Sequence, residues 1–147
     1  MLAIKSPTKN INNVAPVNFT TKILVIDDDV NTTRLIDNVF SKEGYEIHVV
    51  NNSEESLSEA LRAKPDLILL DLMMPGIDGI GTCKMLQAHP ELREVPILLF
   101  SAAGDIKSKV EAFNAGARDF ITKPVHLEEL KSRVKVWVNR RESHRKQ

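Results

Sequence analysis

Short apolar runs alternate along the chain with longer segments in which apolar residues recur every three or four positions. The short runs are typical of strands buried on both faces, and the longer spacing is typical of amphipathic helices. The alternation occurs five times after the first 20 residues. It predicts an α/β fold with a parallel sheet, covered by helices on both faces and joined by right-handed connections. The predicted strands are residues 22–26, 45–50, 67–70, 96–100 and 119–122.

Residues that start or stop helices mark the boundaries of these segments. Asn31 or Asp29 can cap the first helix, and Gly44 can end it. Residues 1–20 have no periodicity and predict a flexible N-terminal extension, before a single domain at 21–140 and a basic tail at 141–147. The apolar stripes of the first, second, fourth and fifth helices are Leu35, Ile36, Val39 and Phe40; Leu57, Ala60 and Leu61; Ile106, Val110 and Phe113; and Leu127, Leu130, Val134 and Trp137.

Composition and charge then limit the classes of function. A chain of 147 residues fits one domain, and its formal net charge of zero creates no strong field toward nucleic acid or an anionic membrane. We therefore expect no direct nucleic-acid binding and no membrane insertion. The single cysteine, Cys83, excludes a disulfide framework. Because no apolar run reaches membrane-spanning length and the start lacks the pattern of a signal peptide, we expect a cytoplasmic protein.

Charged and hydroxyl side chains follow four of the five predicted strands. Because the carboxyl ends of parallel strands meet at one edge of a sheet, we expect these residues to converge. Several neighbouring carboxylates repel one another unless a cation is present, and Mg²⁺ prefers such oxygen ligands. A carboxylate, a lysine and a hydroxyl around such an ion form a site for phosphoryl transfer, in which the carboxylate can be the acceptor. The residues are Asp27 and Asp28, Asp71, Ser101 and Lys123.

These motifs carry a family resemblance. Over roughly residues 21–140, the chain resembles the receiver domain of two-component response regulators. The motifs occur in that family's order and at similar spacings. They are the acidic residues Asp27-Asp28-Asp29, the acceptor segment Asp71-Leu72-Met73-Met74-Pro75-Gly76-Ile77-Asp78-Gly79, the hydroxyl motif Phe100-Ser101-Ala102, and the segment Phe120-Ile121-Thr122-Lys123-Pro124.

The resemblance implies a flavodoxin-like, doubly wound (βα)5 fold with strand order 2-1-3-4-5. It implies that Asp71 accepts the phosphoryl group, and that Lys123, preceding a cis proline, neutralises first the acceptor and then the phosphate. The implied Mg²⁺ ligands and switch residues are Asp27, Asp28, Asp71 and the backbone carbonyl of Met73 for the ion, and Ser101 and Phe120 for the switch.

The resemblance also implies partners. The phosphoryl donor would be a sensor histidine kinase or a histidine phosphotransfer protein. Phosphorylation would then change the face formed by the fourth helix, fifth strand and fifth helix, which would act on a target protein or a fused output domain. No heptad pattern supports a dimer, although a homodimer through this face is compatible with the resemblance. Val136 lies opposite the apolar stripe of the last helix, so we expect it to be exposed on that face as a partner contact.

Three rival functions use the same features differently. Asp27-Asp28-Asp29 could be the Asp-x-Asp nucleophile motif of haloacid-dehalogenase-like phosphatases, but Asn31 stands where that family has Thr or Val, and the late acidic pair is missing. A flavodoxin-like electron carrier would need a phosphate-binding loop after the first strand, and the chain has none. A receiver-like interaction module that takes no phosphate would be expected to lose the acceptor, the acidic pair or the lysine, and all are present.

Overall fold

A computed structural model describes residues 20–74, 79–102 and 104–145. Within them, five strands alternate with five helices, as the hydrophobic pattern predicts. Predicted features at residues 1–19, 75–78, 103 and 146–147 lie outside the described residues; they include most of the N-terminal extension, the Pro75-Gly76 turn and Asp78. The strands are β1 Lys22–Ile26, β2 Glu46–Val50, β3 Leu67–Asp71, β4 Ile97–Ser101 and β5 Asp119–Thr122; the helices are α1 Val30–Lys42, α2 Ser56–Ala63, α3 Gly79–Ala88, α4 Ile106–Asn114 and α5 Leu127–Arg145.

The five strands form one parallel sheet in the order β2-β1-β3-β4-β5. Strand β3 is therefore central, and all five of its residues are buried. Successive strand residues point to opposite faces, so each strand contributes to two separate cores. Leu24 and Ile26 of β1 pack in the core beneath α2, α3 and α4, whereas Ile23 and Val25 pack in the core beneath α1 and α5. This is the doubly wound α/β arrangement that the sequence predicts.

The start of α3 lies unusually close to the end of β3. A Cβ atom added at Gly79 would collide with the Cα of Leu72 and would lie only 2.9 Å from the carbonyl oxygen of Asp71. The Gly79 backbone N–H also donates to the Leu72 carbonyl at 3.3 Å. Glycine at this position therefore lets the chain return directly behind Asp71, which helps to fix the end of the central strand.

Three details of the predicted helices need correction. In α1, Leu35 is exposed, and the buried face consists of Thr33, Ile36 and Phe40. In α4, the predicted apolar stripe lies outside the core: Ile106 is 71% exposed and Phe113 is 52% exposed, because the small residue Ala112 supplies the buried contact. Helix α5 continues to Arg145, so residues 141–145 of the predicted basic tail are helical. Cys83 is buried as a small core residue, and burial raises the pKa of its thiol to about 11.

Candidate phosphoryl-acceptor site

The loop after β1 presents two carboxylates at the carboxyl edge of the sheet. Asp27 is completely buried, whereas Asp28 is exposed. The Asp29 backbone N–H donates to Asp27 Oδ1 at 2.9 Å, which leaves Asp27 Oδ2 buried without a hydrogen-bond donor among the described residues. Asp29 itself caps α1, because its side chain accepts from the Asn31 N–H at 3.0 Å.

Asp71 stands at the end of the central strand and faces this loop. It is 2% exposed, and oxygen atoms of Asp27, Asp28 and Asp71 all lie within 4.8 Å of one another. Asp71 Oδ1 accepts a hydrogen bond from the Met73 backbone N–H at 3.1 Å. The structure therefore brings together the three carboxylates that the sequence predicts to converge.

Lys123 approaches Asp71 from the end of β5, the edge strand opposite β2. It follows β5, and its Nζ lies 3.1 Å from Asp71 Oδ1. Its backbone N–H donates to the Ser101 carbonyl at 2.8 Å, which ties the ends of β4 and β5 together. The Lys123-Pro124 peptide bond is cis, as the resemblance implies. One ammonium group thus partly offsets a cluster of three carboxylates.

The cluster has three carboxylates and only one nearby ammonium group, so added positive charge would stabilise it. Burial, with a further contribution from the negative charge of Asp71, raises the pKa of Asp27 to about 6. The buried and unpartnered Asp27 Oδ2 is a hard oxygen donor beside two further carboxylates. This donor set fits a hard divalent cation such as Mg²⁺, which binds through one or two carboxylates and retains other positions for water or phosphate oxygens.

Ser101 ends β4, the strand next to β3. Its side chain is fully buried, and its Oγ has no hydrogen-bond partner among the residues that the structure describes. A buried hydroxyl without a partner is unusual, since most such groups are satisfied in native proteins. Ser101 can therefore donate a hydrogen bond to a group that arrives at the site.

Phe120 and Val136 lie outside the carboxylate cluster. The Phe120 ring is half-buried on β5 and packs edge-on against Phe113, with ring centroids 4.4 Å apart. Lys109 Nζ lies 5.8 Å from the centroid of the same ring. Val136 is 49% exposed on α5. The ring contacts place Phe120 between β5 and α4, and Val136 is an exposed residue of α5. The switch role of Phe120 and the partner role of Val136 stay predictions.

Asn51, which no sequence pattern indicated, supports the acidic loop from the end of the edge strand. Its side-chain Nδ2 donates to the Asp27 carbonyl at 2.8 Å. An asparagine directly after a predicted strand gave no local signal for this contact, because the two residues are brought together only by the pairing of β1 with β2.

Comparison with known proteins identifies the family. The profile of the response regulator receiver domain matches residues 23–135. This chain belongs to the response regulator receiver family. A two-component response regulator structure from Clostridium difficile is 30% identical with a TM-score of 0.77, over 82% of this chain and 98% of that one. The receiver resemblance and the doubly wound fold are thereby confirmed. The match favours a signalling role over the rival phosphatase.

Two related transcriptional regulators are about twice as long as the matched region. The transcriptional regulatory protein ResD of Bacillus subtilis is 41% identical over 120 residues, which are 82% of this chain and 49% of ResD. The DNA-binding dual master transcriptional regulator RpaA of Synechocystis is 34% identical over 119 residues, or 81% of this chain and 49% of RpaA. The chain thus spans about half the length of these relatives.

The prediction of no direct nucleic-acid binding is contradicted by the names of several relatives. It relied on the zero net charge of these 147 residues, whereas relatives of this receiver are named as transcriptional regulators, and RpaA as DNA-binding. The charge of a region that makes up half of such a protein carries no information about the remaining half.

As for membranes, none of the helices in the described residues is both long and apolar enough to cross one.

Proposed function

We propose that this receiver accepts a phosphoryl group on Asp71 from a phosphohistidine of a sensor histidine kinase or a histidine phosphotransfer protein. An Asp71 oxygen forms the new bond to phosphorus, the phosphorus–nitrogen bond breaks, and its electron pair stays on the imidazole. The observation that carries the proposal is the placement of Asp71: a buried carboxylate within 4.8 Å of two others and 3.1 Å from a lysine ammonium. Such transfers depend mainly on positioning and on neutralising charge.

The surrounding residues divide this work. Asp27, Asp28, Asp71 and the Met73 carbonyl would hold Mg²⁺, which would supply charge neutralisation for the acceptor and the transferred oxygens when bound. Lys123 neutralises Asp71 before transfer and a phosphoryl oxygen afterwards. Ser101 donates its hydroxyl to another phosphoryl oxygen, and this new bond satisfies a buried oxygen that lacks a partner among the described residues.

The switch follows from the same contacts. Once Ser101 turns toward the phosphoryl group, Phe120 moves inward behind it and leaves its edge contact with Phe113. The surface of α4, β5 and α5 then changes shape, which is a population shift driven by a new doubly charged group.

Val136 is the partner contact on this surface. Val136→Lys is expected to weaken association that depends on phosphorylation, measured by analytical ultracentrifugation or by titration with the target; unchanged association would remove Val136 from the proposal.

The names of the relatives support transcriptional control as the output. ResD is named a transcriptional regulatory protein, and RpaA a DNA-binding regulator. We infer that phosphorylation of Asp71 regulates DNA binding by the protein in which this receiver occurs. DNA binding should then respond to phosphorylation in the wild type and not in Asp71→Asn. An equal response in both proteins would overturn this inference.

Phosphotransfer itself is tested with candidate phosphohistidine donors and with phosphoramidate, a small donor that also has a phosphorus–nitrogen bond. With Mg²⁺ present, the wild type is expected to gain one phosphoryl group, and Asp71→Asn is expected to gain none. Asp66→Asn is a matched control, because Asp66 is a second buried aspartate next to the same strand. Labelling of Asp71→Asn at the wild-type rate would refute the proposal.

A further inference from the structure

Asn51 lies outside the carboxylate cluster but contacts the loop that carries it. The residue directly follows β2, the edge strand of the sheet. Its Nδ2 donates to the Asp27 carbonyl oxygen at 2.8 Å and to Thr33 Oγ1 at 3.2 Å. One amide group therefore contacts the first residue of the acidic loop at 27–29 and also the first turn of α1.

The contact with Asp27 fixes the direction of the loop. The Asp27 N–H donates to the Val50 carbonyl at 3.0 Å, so residues 50 and 51 hold both backbone polar groups of Asp27. The carbonyl that Asn51 binds belongs to the peptide joining Asp27 to Asp28. Holding the plane of that peptide limits the backbone rotation that would swing Asp28 away from Asp71.

The contact with Thr33 fixes the far end of the same loop. Thr33 is buried; its hydroxyl donates to the Val30 carbonyl at 3.1 Å and accepts from Asn51. The Thr33 N–H donates to the Asp29 carbonyl at 3.1 Å. The start of α1 and the end of β1 are thus connected through one side chain from a third segment.

We propose that Asn51 is a positioning residue that holds the 27–29 loop in the geometry needed to bind Mg²⁺. The proposal rests on the proposed function, in which Asp27 and Asp28 are metal ligands. Their mutual repulsion with Asp71 favours opening of the loop when no cation is bound. Asn51 opposes that opening, so less free energy is spent on closing the loop when the ion binds.

The neighbouring residue provides a matched control. Asn52 is also an asparagine with two side-chain hydrogen bonds, but both go to Glu55: it accepts from the Glu55 N–H at 2.9 Å and donates to Glu55 Oε2 at 3.0 Å. Asn51→Ala and Asn52→Ala therefore remove the same chemical group and a similar number of bonds, and only Asn51→Ala disconnects the acidic loop.

The experiment is a calorimetric titration of each protein with Mg²⁺ alone, after circular dichroism has shown that the variants are folded. Asn51→Ala is expected to bind Mg²⁺ about 10-fold more weakly than the wild type, at the lower end of the effects known for outer partners of metal ligands. Asn52→Ala is expected to bind like the wild type. Wild-type affinity in folded Asn51→Ala, or equal weakening in both variants, would overturn the proposal.

A second variant protects the test against a folding defect. Thr33→Val keeps the side-chain volume and removes the hydroxyl that accepts from Asn51 and donates to the Val30 carbonyl. It leaves the bond from Asn51 to the Asp27 carbonyl in place. We expect it to weaken Mg²⁺ binding less than Asn51→Ala does. A larger loss in Thr33→Val would also contradict the role of Asn51. If the wild type bound no Mg²⁺, the proposed function would fail first, so the two failures are distinguishable.

Discussion

The two ends of strand β3 each have a buried aspartate, and the surroundings of the two side chains differ in the sign of their charge. At the amino end, Asp66 Oδ2 accepts from the Lys22 N–H at 2.9 Å, and Asp66 Oδ1 lies 3.7 Å from Arg141 Nε. At the carboxyl end, Asp71 shares its surroundings with two other carboxylates and one lysine. Residues of the same type, five positions apart, therefore have opposite surroundings: the partners of Asp66 favour its charge, whereas the carboxylates beside Asp71 repel it.

Magnesium affinity should separate the two ends by the largest margin. Asp27→Asn removes the buried carboxylate that we propose as an Mg²⁺ ligand, so we expect it to weaken Mg²⁺ binding by more than about 100-fold, beyond the usual effect of outer partners. Asp66→Asn should leave the affinity unchanged, because the residue lies at the opposite end of β3. Calorimetric titration of both variants measures this difference. A similar loss in the two would show that the carboxyl end has no special relation to the ion.

The stability of the metal-free protein should change in opposite directions in the same two variants. Asp27→Asn removes a buried like-charge contact and is expected to raise the free energy of unfolding by about 1–2 kcal/mol. Asp66→Asn weakens the contacts with Lys22 and Arg141 and is expected to lower it by about 1 kcal/mol. Urea unfolding without divalent ions provides both values. Changes of the same sign would contradict the comparison.

A smaller effect should appear as pH changes. The pKa of Asp27 is raised from 3.8 to about 6, chiefly because the side chain is buried. Between these pH values the folded protein keeps a proton on Asp27 that the unfolded chain has released. Proton binding by Asp27 therefore stabilises the folded state fully below pH 3.8, and this stabilisation is lost as pH rises through about 6. The stability of the metal-free wild type relative to Asp27→Asn should fall across this window. A difference that does not change with pH would mean that the pKa of Asp27 is not raised.

The hydrophobic pattern was sufficient for most of the fold. The apolar runs and the helical spacings between them directly predict alternating strands and helices and a parallel sheet. The order of the strands in the sheet is predicted only when the family resemblance is added. The convergence of Asp27, Asp71 and Lys123 then follows, because parallel strands end at the same edge. These residues could be found because each one directly follows a predicted strand.

Features that depend on contacts between distant segments could not be found in this way. Helical spacing alone does not show whether a stripe faces the core, and in α4 the small residue Ala112 takes the buried position while Ile106 and Phe113 remain outside. Asn51 reaches Asp27 only because β2 pairs with β1. Asp66 and Asp71 flank the same apolar run, and only their partners in space distinguish them.

The most direct test of the site is to map the phosphoryl group on the wild-type protein. The protein is incubated with Mg²⁺ and phosphoramidate, the acyl phosphate is reduced with borohydride, and the resulting homoserine is located by tandem mass spectrometry. We expect homoserine at position 71, and only when Mg²⁺ is present. Homoserine at position 27 would instead support the phosphatase mechanism, and no labelled residue under these conditions would contradict the account of the acceptor site.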